Sequence, residues 1–359
     1  MNAARRIDGI DLFRGIAAFA VVILHSDEGI KTDPQGWSFL INFSAFAVPF
    51  FLATSFYLLV DKLNNSVHLI KWTDRFSRLL IPYAFWSIFY LGIKIQFFLK
   101  RTPHKINGLL DNWYGLLFLG QSEFHLYFIP LLMAGILLVV AAESFIRSKP
   151  HLFLLSFLLL LCIFVNQYYL SLNLEDINLF LAWIAEGFHI NTFKLDQNIL
   201  KFFVKLFGLF LRCSSYIAVA LIFSRLMIKD KLLNLKLYGF FVCLILFIVV
   251  NAFPIFNLPK VVEELLKGYI TLSLAFASSS YIKNNPIISS LGRCSFGIYL
   301  MHFAFFQILW SFVSRFGLNL KHPSFLMLAS SVVFAYLMSW ILTHFIMKKK
   351  NISKIIFGA

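Results

Sequence analysis

The chain has 359 residues, of which 60% are apolar and 14% charged, and its mean hydropathy is +0.79. A soluble globular protein carries about 25% charged residues, and 44 phenylalanines with an aromatic share of 18% exclude a disordered chain as well. The net charge of +15 would suggest nucleic acid in a soluble protein, but a membrane protein collects lysine and arginine on its cytoplasmic loops, so the position of the charges decides.

A spanning helix needs roughly 20 apolar residues. Stretches of that kind fall at residues 12–28, 38–61, 78–99, 126–146, 152–170, 202–225, 237–254, 261–281, 294–314 and 324–347. The expected fold is an all-α integral membrane protein, a bundle of about ten transmembrane helices. Residues 1–350 form one polytopic domain and 351–359 a short cytoplasmic tail. With the N-terminus inside, about eighteen loop lysines and arginines face the cytoplasm against about nine outside, the bias the positive-inside rule requires. Both termini are therefore expected in the cytoplasm, in a multi-pass protein of the inner (plasma) membrane, with membrane lipids as partners and no nucleic acid. Two further apolar stretches, 106–124 and 177–190, are interrupted by Asp111 and Gln121 and by Glu186, and read as interfacial or re-entrant pieces. The first apolar segment carries Arg14 and lacks a small-residue cleavage site, so it reads as a retained helix. The four cysteines, Cys162, Cys213, Cys243 and Cys294, stand singly with no CxxC spacing. They read as inert thiols, with neither disulfide nor metal expected.

Ionisable residues inside spans are costly and mark either function or a paired structural site. Arg14 and His25 are eleven residues apart, which brings them within about 20° of one helix face and about 16 Å apart along the axis. One face then carries a guanidinium near the cytoplasm and an imidazole in the outer half of the membrane. Snorkelling of Arg14 to lipid phosphate is the alternative. Arg75 and Arg78 share a face at i and i+3 and can clamp a phosphate or serve as topology anchors. His125 opens the fourth segment at a depth like that of His25. Lys205 and Arg212 share a face of the sixth segment, Lys94 lies within the third, and Glu143 is a possible partner for Arg212 on charge alone. In the ninth segment His302 sits about halfway through the membrane, as a site residue or as a hydrogen-bonded core histidine.

The string Ile7-Asp8-Gly9-Ile10-Asp11-Leu12-Phe13-Arg14-Gly15-Ile16-Ala17-Ala18, continuing to Val22-Ile23-Leu24-His25, closely resembles the opening of the type-3 acyltransferase family, bacterial polytopic enzymes that acylate surface carbohydrates. Four later pieces resemble the family's motifs in order. They are Val48-Pro49-Phe50-Phe51-Leu52 through Tyr57-Leu58-Leu59, Arg75-Phe76-Ser77-Arg78 with Pro82, His125-Leu126-Tyr127-Phe128, and the stretch from Leu291 to His302 that contains Ser295, Gly297, Tyr299 and Leu300. Two departures stand out: Phe56 where the family usually has Gly, and Tyr127 where it usually has Trp. A bulky side chain in place of Gly changes helix packing or narrows a cavity, which implies a donor size or activity different from the family norm.

The resemblance implies acyl transfer from cytoplasmic acyl-CoA, acetyl-CoA first and succinyl-CoA or another short acyl next, to a hydroxyl of a surface polysaccharide or lipid-linked glycan. No tightly bound cofactor is expected, acyl-CoA being a co-substrate. On this reading Arg14, Arg75 and Arg78 hold its phosphates and His25 is the general base, since an imidazole with an ordinary pKa of about 6.5 exchanges protons near neutrality. His125, Tyr127, Arg212 and His302 are candidate oxyanion or acceptor contacts. A transient acyl-His intermediate remains open. After the tenth segment only the short tail follows, so acyl groups are expected to pass directly to the acceptor or to a separate glycan-biosynthesis partner. The alternative is a flippase or transporter for a lipid-linked sugar or small anion, with Lys94, Glu143, Lys205 and Arg212 along its path. A structural subunit of a glycan-export complex is a third reading.

Overall fold

The computed structural model describes residues 7–28, 34–65, 70–104, 106, 109, 113–172, 197–253, 258–282, 285–315 and 322–359. The stretch 177–190 and residues 107, 108 and 110–112 of the stretch 106–124 lie outside the described residues. The described residues are helical with no strand among them. In chain order the helices are α1 (Asp8–Leu24), α2 (Trp37–Ser44), α3 (Ala47–Asn65), α4 (Trp72–Arg101), α5 (Trp113–Phe118), α6 (Phe128–Ala141) and α7 (Glu143–Arg147). There follow α8 (Leu152–Ser171), α9 (Gln197–Arg225), α10 (Ile228–Leu233), α11 (Leu237–Ala252), α12 (Lys260–Ser278), α13 (Pro286–Arg315), α14 (Phe325–Ile346) and α15 (Lys350–Phe357). A short 3-10 turn, Phe124–Tyr127, leads into α6.

Each of the ten apolar stretches contains a helix, and among the described residues seven helical segments are long and apolar enough to cross a membrane: Trp37–Asn65, Trp72–Lys100, Phe124–Ala141, Leu152–Ser171, Phe202–Arg225, Pro286–Val313 and Phe325–Ile346. The other three fall short for physical reasons. Helix α1 has 17 residues and α11 has 16, while α12 begins with the charged run Lys260, Glu263, Glu264 and Lys267, of which Lys267 and Glu263 pair at 2.6 Å. The outward surface is apolar: Phe153, Leu160 and Phe164 on α8 are 86%, 66% and 70% exposed, a density of bare hydrophobic surface that lipid accommodates and water does not.

The chain forms two compact units. The first comprises Met1–Leu59, Phe223–Leu258 and Val262–Ala359. Its central helix is α1, whose glycines and alanines allow close approach of neighbouring backbones. A Cβ on Gly9 would overlap the Ala275 carbonyl, and the Gly9 N–H, one of the orphan donors of a helix start, donates to Ser279 Oγ at 3.1 Å. Gly15 lies against Leu291, and a Cβ on Gly292 would come 2.5 Å from Asp11 Cβ. Phe13, Phe43, Phe46 and Phe50 close around Phe247 or one another with centroids 5.1 to 6.2 Å apart.

Helix directions follow from these pairings. Asp11 meets Gly292 and His25 meets His302, so α1 and α13 run the same way. Pro49 meets Gly268 and Tyr57 meets Phe276, so α3 and α12 run together. Ser290 meets His344 while Phe305 meets Phe334, so α13 and α14 are antiparallel.

The second unit comprises Val60–Ile222 and Pro259–Val261. At one of its corners Glu143 accepts from Trp72 Nε1 at 3.0 Å and from Arg147 Nε at 2.9 Å, and Arg147 Nη1 donates to the Leu63 carbonyl at 3.2 Å. Elsewhere in the unit the Cys213 thiol donates to the Leu131 carbonyl at 3.2 Å, and Tyr169 lies over Gly208 and donates to Val204 O. All four cysteines are free thiols.

The glycine contacts give a stability test. Gly292→Leu forces a side chain into Asp11 and is expected to cost about 1–3 kcal/mol, seen as a lower unfolding midpoint in detergent. Gly92→Leu, at a position with nothing within 4 Å, leaves the midpoint unchanged.

Candidate active site

Two histidines of the first unit come together. Helix α1 ends at Leu24, and His25 is its C-cap, with φ −112° and ψ 9° and its N–H on the Ile23 carbonyl. The helical path assumed in placing His25 on the face of Arg14 thus stops one residue short. The cause is local: Ser26 returns to the helix, its N–H and Oγ both donating to Ile23 O, at 3.1 and 2.7 Å. Ser26 Oγ in turn accepts from Trp37 Nε1 at 3.1 Å. Both residues are buried, and Trp37 packs edge-on against Phe325. The His25 side chain is 17% exposed, and its Nδ1 stands 3.8 Å from the exposed Glu28 carboxylate, beyond direct hydrogen-bond reach.

His302, on α13, is 0% exposed. Its Nδ1 lies 2.7 Å from the Tyr299 carbonyl oxygen and 3.3 Å from that of Ile298. Carbonyls only accept, so Nδ1 carries the hydrogen and the neutral ring has its lone pair on Nε2. The His25 and His302 rings lie 5.5 Å apart between centroids with planes 28° apart. Arg14 is in the same unit, half-buried on α1; the carbonyl of the next residue, Gly15, accepts from Tyr336 OH at 3.2 Å. Phe56, the departure on α3, is fully buried in this unit.

The other candidates belong to the second unit. Arg75 and Arg78 occupy the start of α4, Arg75 half-buried and Arg78 exposed, close enough for the charge of Arg78 to act on Arg75. His125, 1% exposed, sits in the 3-10 turn edge-on to Tyr90 at 5.0 Å, and Tyr127 is half-buried in the same turn. Arg212 is half-buried on α9, while Lys205 on that helix is exposed. Glu143 is taken by Arg147 and Trp72, so the pairing with Arg212 that charge alone allowed is not formed. Among the described residues no group of three or more His, Cys, Asp or Glu side chains is placed to hold a metal ion.

Sequence reasoning passed over Tyr83 and Gly120, which together with Lys94 hold the His125 turn. Tyr83 OH donates to Leu116 O at 3.1 Å and accepts from Gly120 N at 3.0 Å. Lys94 Nζ donates to the Gln121 and Ser122 carbonyls at 3.4 and 3.3 Å. Gly120 has φ +71°, and a Cβ there would lie 2.5 Å from Tyr127 N, which only glycine permits. A signal was present: Tyr83, Tyr90 and Lys94 fall within about 40° of one another on a helical wheel, a stripe of polar groups on one face of α4.

The fold and these residues describe an all-helical membrane protein with an imidazole pair at the end of its first helix. The family profile described as the acyltransferase domain, type 3, matches residues 7–344, and the chain belongs to that family of acyltransferases. Neither the curated proteins nor the solved structures contain a match.

The turn geometry is open to test. Tyr83→Phe leaves the Gly120 N–H and Leu116 C=O without their buried partner and should cost about 1–3 kcal/mol. Gly120→Ala, strained in φ and in contact, should destabilise at least as much. Unfolding midpoints in detergent check both.

Proposed function

We propose that this protein is an O-acyltransferase of the inner membrane. It moves a short acyl group, acetyl in the first instance, from cytoplasmic acyl-CoA to a hydroxyl of a surface polysaccharide or lipid-linked glycan. The observation that carries the proposal is His25: a partly exposed imidazole at the end of α1, beside backbone held by the Ser26–Trp37 latch, with Glu28 near one nitrogen and His302 against its ring. In this reading Nε2 of His25 is the nitrogen that meets the acceptor.

In the reaction, Nε2 of His25 takes the hydroxyl proton as the acceptor oxygen bonds to the thioester carbonyl carbon. The C–S bond then breaks, and the imidazolium returns the proton to the CoA thiolate. Charge on the carbonyl oxygen in between calls for donors, the part assigned to His125, Tyr127 and Arg212. Arg14, Arg75 and Arg78 are assigned to the CoA phosphates, for which paired guanidiniums suit.

The topology in this reading has ten spans with both termini cytoplasmic, α1, α11 and α12 crossing along with the seven longer helices. Helix direction supports it. Spans one and nine must run one way and spans two, eight and ten the other, as α1 with α13, α3 with α12, and α14 against α13 do. A transporter path gains no such support: Lys94 is held by loop carbonyls and Glu143 by Arg147, two of the four charges that path requires.

The test is thiol release from acetyl-CoA in membranes containing the protein, read beside ester analysis of surface glycans. His25→Ala should lower turnover roughly 10²- to 10⁴-fold in folded protein, and full activity would reject the base. Arg75→Ala with Arg78→Ala should raise the apparent KM for acyl-CoA roughly tenfold or more. An unchanged KM would return both to topology.

A further inference from the structure

The two stacked imidazoles are not equivalent. His302 is completely enclosed, so neither an acyl group nor an acceptor hydroxyl can reach it in this arrangement. In the neutral ring its one N–H is committed to the Tyr299 and Ile298 carbonyls of its own helix, leaving none to donate to an oxyanion. That bond also fixes the ring's orientation, and Phe306 closes on it edge-on at 6.4 Å and 85°. What His302 offers the rest of the molecule is an immobile aromatic surface, and His25 lies against it at 28° between planes.

His25 is the residue on which this surface bears. It follows the last residue of α1 and carries backbone angles outside the helical range, so the helix does not dictate its rotamer. The exposed Glu28 carboxylate stands 3.8 Å from its Nδ1. The Ser26–Trp37 latch holds the backbone beside it.

We infer that His302 is a positioning residue for His25, a fixed uncharged ring that sets the plane of the base and supports the imidazolium formed when His25 takes the acceptor's proton. Aromatic pairing and the attraction of a cation to a ring face correspond to roughly 3- to 30-fold in rate. This role rests on the acyltransferase reading for its kinetic consequence, while the ring pairing itself stands apart from that reading.

Two variants separate the ring from its volume: His302→Leu fills the site without an aromatic face, and His302→Phe restores the face without nitrogen. In membranes, His302→Leu is expected to lower kcat for CoA release roughly 3- to 30-fold with both KM values unchanged, and His302→Phe to recover most of the loss. A wild-type kcat in His302→Leu, a raised acceptor KM at constant kcat, or no recovery in His302→Phe would each overturn the role. Independently, in protein labelled with carbon-13 histidine, the His25 Cε1–H resonance, assigned by its loss in His25→Ala, should shift in His302→Leu and stay near its wild-type position in His302→Phe. An unmoved resonance would overturn the pairing. If the wild-type protein releases no CoA, the acyltransferase reading fails, and the resonance still decides whether His302 positions His25.

Discussion

The close approach of α1 to α13 is the contact on which the candidate site depends. Gly15 lies against Leu291 and Gly292 against Asp11, so the two backbones meet with no side chain between them on one partner at each point. In a bilayer there is little hydrophobic gain from joining two apolar helices, and small residues supply the association through packing instead. The register set at Asp11 and Gly292 carries along the pair to its far end, where His25 and His302 face each other. A shift of one helix past the other would separate the imidazoles without altering either residue.

Charge in the second unit is handled differently. Glu143, Arg147, Trp72 and the Leu63 carbonyl form a compact set of bonds that ties the end of α3, the start of α4 and helix α7. Lys94 is spent on two main-chain carbonyls. Both residues look functional when judged only by the cost of placing charge in a membrane. Once their partners are known they are structural, and the first-unit histidines gain weight by comparison. His25 is the one that combines partial exposure with a stacked ring partner.

Much of this was legible in the sequence. Apolar stretches gave helix positions to within eight residues at either end, because hydropathy over about 20 residues is a strong signal. The motif residues Arg14, His25, Arg75, Arg78, His125 and His302 were all identifiable before any coordinates. The stop of α1 at Leu24 was not, since it depends on Ser26 bonding backward and on Trp37, eleven residues on, capturing that hydroxyl. The Glu143 pairing was also out of reach: Arg147 at i+4 was the local partner, but depth alone cannot choose between it and a distant arginine. Tyr83 and Gly120 were missed because the stripe that Tyr83 shares with Tyr90 and Lys94 names no partner until the loop that holds Gly120 is placed.

Burial bears on the three segments that fall short of a simple test of length and apolarity. Helix α1 is short because Ser26 ends it, and α12 is less apolar because its first turns carry an internal ion pair of Lys267 with Glu263. Neither feature removes these helices from the packed core: Ala17, Ala18 and Val22 of α1 and Leu272, Ala275 and Phe276 of α12 are fully buried. A helix shielded by its neighbours meets little lipid, so it can be shorter and more polar than one such as α8 whose sides are bare. Length and apolarity are therefore a weaker guide for a helix packed among its neighbours, as α1 is within the first unit.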